Sequence, residues 1–291
     1  MTVEPESLND RLLGIELPVT RQAREVFAAL MRQTTARLEG EVLVIVGTSG
    51  SGKSHLRRQL FRDAQDMCPD SAAKRQCLSI VLDSSANLLS LTRQIARKYG
   101  NPVTMNKILD KSTRDISFEL LDDIERQNTL VMFFDEAHNM RFQEPRGKSQ
   151  EKDDPMAMWM KNLTYLGVSL VLFALPEFMN TVRRVQELNT RLYRDEPITT
   201  LGLTGTSPAD IEAALQFLAA IQRAHQVNAT PPFASRDVAM PLIQATGGNL
   251  RKLMRLVHSA VDESRKRLSS QVQLVDFEAA ARLAGIKWSG T

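Results

Sequence analysis

The residues with the clearest chemical potential lie together: Gly47-Thr48-Ser49-Gly50-Ser51-Gly52-Lys53-Ser54 has the spacing Gly, four residues, Gly, Lys, then Ser or Thr. Glycines at these points let a loop fold back so that several backbone N–H groups aim at one phosphate cluster. A helix starting at the loop adds the positive end of its dipole. Lys53 is then expected to reach the β and γ phosphates of ATP, and the Ser54 hydroxyl to bind Mg²⁺. His55 ends the stretch assigned to the nucleotide. The second signal is Val131-Met132-Phe133-Phe134-Asp135-Glu136. An apolar strand ending in two carboxylates delivers them to the carboxyl edge of a sheet, where open α/β folds bind ligands. Asp135 is expected to hold Mg²⁺ through water and Glu136 to polarise the attacking water as general base. Together the two motifs predict hydrolysis of ATP rather than binding alone.

These residues need elements to position them. The run 41–46 is apolar and ends at glycine, which predicts a buried parallel strand, and a helix follows from residue 53 to about 64. Further strands are expected at 78–82, 130–134, 168–174 and 198–201, with helices at 21–38, 88–99, 116–127, 156–166 and 177–191. Strands alternating with helices imply a mostly parallel α/β sheet, here of five strands. From Ser207 the strand signal stops and helices are expected at 208–226, 235–245, 248–268 and 275–284. The chain therefore divides into an N-terminal segment and helix over 1–40, an ATPase core over 41–204 and a small all-helical lid over 205–291. The polar stretch 141–154 reads as an exposed loop. Met156, Met158, Trp159 and Met160 are conspicuous, and at helical spacing Trp159 and Leu163 should face the sheet.

Composition sets wider bounds. With 291 residues, 43% hydrophobic and 24% charged, the chain can bury a sizeable core and is unlike disordered or fibrous sequences. No apolar run approaches the roughly 18 residues that cross a bilayer, and the acidic N-terminus lacks a signal-peptide pattern, so a cytoplasmic protein is expected. Cys68 and Cys77, the only cysteines, are read as reduced structural residues and not as a zinc site. A net charge of +3 permits a polyanionic partner without requiring one. Asp135-Glu136-Ala137-His138 also spells the box of one helicase group. Those enzymes need two tandem lobes, and this chain has room for one.

Taken together, the phosphate loop, the acidic strand, the strand at 168–174 and the helical lid resemble an AAA+ ATPase over nearly the whole chain. More narrowly, Asp135-Glu136-Ala137-His138-Asn139, Leu170-Val171-Leu172-Phe173-Ala174-Leu175-Pro176-Glu177 and Gly247-Gly248-Asn249-Leu250-Arg251-Lys252-Leu253 resemble the TniB/TnsC family of transposition regulators. The resemblance implies a homo-oligomer, a ring or helical filament, that forms on double-stranded DNA with ATP bound. It would mark a target site, recruit a transposase under a target-selection protein, and disassemble on hydrolysis. Arg191 falls where the family's arginine finger lies, with Arg194 as the nearby alternative, and Arg251 matches the lid arginine that senses the γ-phosphate. Leu175 stands where the family often has a polar residue that helps position water, which implies slow or partner-stimulated turnover.

Encircling DNA needs lysines and arginines facing phosphates and no base-reading motif. Lys98, Lys107, Lys111 and Arg114 form one candidate cluster, and Arg146, Lys148 and Lys152 another. No helix-turn-helix, zinc finger or homeodomain pattern is present, so binding without sequence preference is expected. Two other readings share the core: a helicase-loader-like or insertion-sequence helper ATPase, and a nucleotide-switched module that binds a protein and not DNA.

Overall fold

A computed structural model of the protein describes residues 8–16, 19–36, 39–68, 76–100, 113–142, 154–200, 202–203 and 207–288. Two compact units emerge: one comprises residues 22–47 and 57–199, the other 1–21, 48–56 and 200–291. The phosphate loop thus groups with the C-terminal region rather than with the strand that precedes it.

The first unit is built on strands β1 (Val42–Gly47), β2 (Cys77–Val81), β3 (Val131–Asp135), β4 (Ser169–Ala174) and β5 (Ile198–Thr200), in the order β2-β3-β4-β1-β5. Pairs β1–β4, β2–β3 and β3–β4 are parallel, with Val46 opposite Ala174 and Phe134 opposite Leu172. Every residue of β1, β3 and β4 is buried, as expected of parallel strands covered on both faces. Successive side chains alternate between those faces. Val44, Met132, Phe134, Leu170 and Leu172 pack into one core with helices α4 (Leu88–Tyr99), α5 (Thr113–Arg126) and α6 (Pro155–Tyr165). On the other face Phe133 meets Phe27 of α2 (Thr20–Ala36) and Phe61 of α3 (Lys53–Met67) at 5.5 and 5.7 Å. Trp159 and Leu163 are buried in the first of these cores, as their spacing predicted, together with Met156 and Met160. Cys68 and Cys77 are buried free thiols with sulfurs 3.4 Å apart, and burial pushes the Cys77 thiol up.

Two expectations need correction here. The helix expected over 177–191 is two short ones, α7 (Phe178–Arg184) and α8 (Gln186–Asn189), because Val185 is extended at φ −84°, ψ 99° and stops the first. No element was expected before residue 21, and a short helix α1 (Leu8–Leu13) is present there.

The second unit contains α9 (Pro208–His225), α10 (Arg236–Thr246), α11 (Leu250–Lys266) and α12 (Leu274–Leu283) around a core that includes Ile15, Phe217, Leu242, Leu253, Val257 and Phe277. Ser207 caps α9 through the Asp210 amide, with Pro208 in the first turn where its missing N–H costs nothing. The unit is not all-helical: β6 (Asn228–Thr230) and β7 (Gln271–Gln273) form a short parallel pair. His225 and His258 meet edge-on at 4.6 Å, and burial, then His258, lowers the His225 pKa to about 4, so it is neutral at neutral pH. No helix among the described residues is long and apolar enough to cross a membrane.

Candidate functional site

The apolar strand β1 ends at Gly47 and the chain enters the loop directly. Gly50 (φ 80°) and Gly52 (φ 98°) take backbone conformations open to glycine and poorly open to other residues. Thr48's carbonyl accepts two bonds, from the Ser51 amide at 3.2 Å and from Lys53 Nζ at 3.0 Å, so the lysine folds back along its own loop. Lys53 is 6% exposed and Ser51 2% exposed, and the Ser51 hydroxyl shares a hydrogen bond with Thr200 Oγ1 at 2.7 Å. Helix α3 starts at Lys53, which sets its N-terminus at the end of the loop. His55 Nε2 lies 3.0 Å from the Ile15 carbonyl oxygen, tying residue 15 to this first turn.

The same unit brings the start of α11 onto the loop. Asn249 caps α11 by accepting the Lys252 amide at 3.1 Å on Oδ1, while its Nδ2 donates to the Ser49 carbonyl at 2.8 Å. Arg251 donates its backbone N–H to the Gly50 carbonyl at 3.3 Å, and its side chain is exposed. A Cβ on Gly50 would lie 2.4 Å from Asn249 Oδ1, and one on Gly248 (φ 70°) would lie 2.1 Å from the Leu203 carbonyl oxygen. Conformation favours glycine at both positions, and at Gly248 the close approach of the Leu203 backbone adds to it. In the sequence Asn249 reads only as the residue after a glycine turn, and its second bond is a tertiary fact. Asn249→Ala is expected to cost about 1–2 kcal/mol through the lost cap. That should appear as a fall in melting temperature of several degrees by differential scanning fluorimetry.

At the acidic end of β3, Asp135 is 3% exposed and each of its carboxylate oxygens accepts one hydrogen bond: Oδ1 from the Glu136 amide at 3.0 Å and Oδ2 from Arg57 Nε at 3.1 Å. Arg57, on α3, was not singled out in the sequence. It reads there as one of several basic residues on a surface helix. Glu136 adopts φ 56°, ψ 39°, the left-handed region, at a cost of about 1–2 kcal/mol for a residue with a Cβ. This conformation leaves the Glu136 side chain 41% exposed, with Oε2 3.5 Å from His138 Nε2. Strained residues of this kind concentrate at sites of function. In the sheet β4 lies between β1 and β3, and its carboxyl end offers the buried Ala174 and the half-buried Leu175.

Arg191 sits at the opposite edge of the sheet. Its carbonyl accepts the Val42 amide at 2.8 Å, and Tyr193 N–H donates to the Val42 carbonyl at 2.9 Å. Val42 begins β1, so five residue steps, about 16 Å at ~3.3 Å each, separate it from Gly47. The Arg191 guanidinium is ion-paired with Glu39 and stacks 4.3 Å over the Tyr165 ring, and the Glu39 bond raises its pKa. Arg194 is half-buried on the same stretch. Of the DNA candidates, Lys98 is exposed in the last turn of α4. Arg114 lies on α5, its side chain outside the description, while Lys107, Lys111, Arg146, Lys148 and Lys152 lie outside the described residues.

A family model described as "AAA domain" matches residues 36–182, half of the chain. No protein of curated function matches by sequence. Among solved structures, the ORC2 protein of Aeropyrum pernix in its ADPNP–ADP complexes superposes with a TM-score of 0.68 at 14% identity, over 94% of this chain and 71% of that one. The ORC1 protein of Aeropyrum pernix in complex with DNA gives 0.62 at 15%, over 96% and 71%. The RuvB Holliday junction branch migration motor of Thermotoga maritima gives 0.56 at 13%, over 99% and 74%. At these identities the likeness is one of fold.

Proposed function

The chain belongs to the AAA domain family, and from that premise we propose that it is an ATPase whose nucleotide state governs its own assembly on double-stranded DNA. The observation that carries the reading is the arrangement along one parallel sheet: β1 leads into the glycine-rich loop, β3 ends in Asp135 and Glu136, and β4 lies between them. In this reading residues 47–55 cradle the triphosphate, with Lys53 on its β and γ phosphates. Ser54 and Asp135 would hold Mg²⁺. Their hard oxygen donors suit an ion that takes most of its shell from phosphates and water, and no group of three or more His, Cys, Asp or Glu among the described residues offers a closed protein cage. Bound there, the ion would neutralise charge on the phosphates during transfer.

Glu136 acts as base on the attacking water, its exposed carboxylate steadied near His138. Arg251 lies at the start of α11, whose backbone already bonds the loop at Gly50, so the reading assigns it to sensing the γ-phosphate. Arg191, beside the amino end of β1, is assigned to a neighbouring subunit's phosphates. Service there requires exchanging the Glu39 ion pair for phosphate. Arg194 is the alternative finger. The apolar Ala174 and Leu175 favour slow turnover that DNA or a partner accelerates.

The DNA half of the proposal rests on the fold shared with an ORC1 protein solved in complex with DNA and with a Holliday junction branch migration motor. The narrower assignment, a cytoplasmic regulator of transposition that marks a target, recruits a transposase and answers to a target-selection protein, rests on the resemblance of the residue 135–139, 170–177 and 247–253 motifs to the TniB/TnsC family. Negative-stain microscopy of the protein with duplex DNA, with and without a non-hydrolysable ATP analogue, tests it. Rings or filaments on DNA only with the analogue are expected. Discrete complexes without continuous assembly would favour the loader or helper class, and monomers under both conditions would overturn DNA assembly in favour of a protein-partnered switch.

A further inference from the structure

Arg57 lies one helical turn after Lys53 and one before Phe61, so the three share a face of α3. Phe61 packs edge-on against Phe133 at 5.7 Å and 81°. Asp135 follows Phe133 by two residues on the same face of β3, and Ser79 of β2 is the register partner of Phe133. The aromatic contact therefore fixes the rotation of α3 that sets Arg57 over both polar groups. Its guanidinium forks between strands, Nε donating to Asp135 Oδ2 at 3.1 Å and Nη1 to Ser79 Oγ. The ion pair is secluded, with 15% of the Arg57 side chain and 4% of that of Asp135 exposed.

We infer that Arg57 is the standing counter-ion of Asp135, a positioning residue that holds this carboxylate aligned without metal and sets how much divalent cation the site requires. The inference rests on the ATP reading above. A secluded carboxylate with no partner is costly, and the guanidinium bonded to it offsets that cost in the metal-free protein. The same cation opposes a second one. A carboxylate has about four lone-pair positions, of which the Glu136 amide and Arg57 use two, so Asp135 can still accept a metal-bound water while its attraction for the ion is reduced. Arg57 thus trades cation affinity for a prepared site.

The test titrates Mg²⁺ from excess EDTA against binding of a fluorescent, non-hydrolysable ATP analogue to the full-length protein, read by anisotropy, alongside melting curves. For Arg57→Met the half-saturating Mg²⁺ concentration is expected to fall about tenfold, since a charge pair near 4 Å interacts appreciably even at high effective dielectric. Arg57→Lys, which keeps the charge, should stay near wild type. The methionine variant should melt below wild type in EDTA, and Mg²⁺ with the analogue should narrow that gap; a purely structural role would leave it constant. If Arg57→Met does not fold, Arg57→Gln, which can still donate to Asp135, gives the reading. A neutral variant that binds the analogue in EDTA as wild type does, yet needs as much Mg²⁺ or more, would overturn the inference alone. A wild-type protein that binds no analogue at any Mg²⁺ concentration would overturn the ATP reading and this inference with it.

Discussion

Lys53→Ala is expected to abolish nucleotide-dependent assembly on DNA and to weaken ATP binding by about 10²- to 10⁴-fold, taking two charge-assisted contacts to the β and γ phosphates at roughly 1.5–3 kcal/mol each. The fold should tolerate the change. Lys53 opens α3, where alanine is a better helix former, and the Thr48 carbonyl keeps its bond from the Ser51 amide when Nζ is removed. Loss of function with an unchanged melting curve would therefore locate the defect at the phosphates. Isothermal titration with ATP and filament counting on DNA provide the two readouts. Wild-type assembly by this variant would sink the proposed role of nucleotide.

Glu136→Gln should separate assembly from turnover. Glutamine fills the same volume and leaves the backbone amide of residue 136 on Asp135 Oδ1, so the β3 terminus is preserved. It cannot take a proton from water. Phosphate release should fall by about 10²- to 10⁴-fold, the usual contribution of a positioned general base, while ATP-dependent complexes on DNA persist longer than those of the wild type. Turnover within a factor of a few of wild type would remove Glu136 from the chemistry and leave the base unassigned.

The parts of this architecture that sequence discloses are those governed by short-range rules. The 42–47 strand is apolar throughout and stops at glycine, β3 stops at a carboxylate, and α4 begins at an asparagine cap; each is a local signal. Strand order is not local. Nothing in residues 169–174 says that they insert between β1 and β3, since an all-buried parallel strand fits any interior place in a sheet. The three-residue strands β6 and β7 were invisible because at that length no alternation can be read, and their outer residues are exposed. The break at Val185 escaped because the apolar spacing on either side is continuous with one helix. Within the site, the loop and the acidic pair were legible as motifs, whereas Arg57, Ser79 and the second bond of Asn249 acquire meaning only from residues 78, 22 and 200 positions away in the chain. Ser79 and Asp135 flank one arginine because two strands share a register.

The left-handed backbone of Glu136 bears on how this position can change over time. Glycine or asparagine would occupy that conformation at less cost, so selection for thermal resistance alone favours replacing the glutamate. On the proposed role of Glu136 as general base, selection for turnover holds it. Asp135, buried and bonded on both oxygens, is retained under either pressure. Two adjacent carboxylates thus obey different evolutionary constraints: in lineages where catalysis lapses and only assembly is kept, residue 136 should drift toward glycine or asparagine while residue 135 stays fixed.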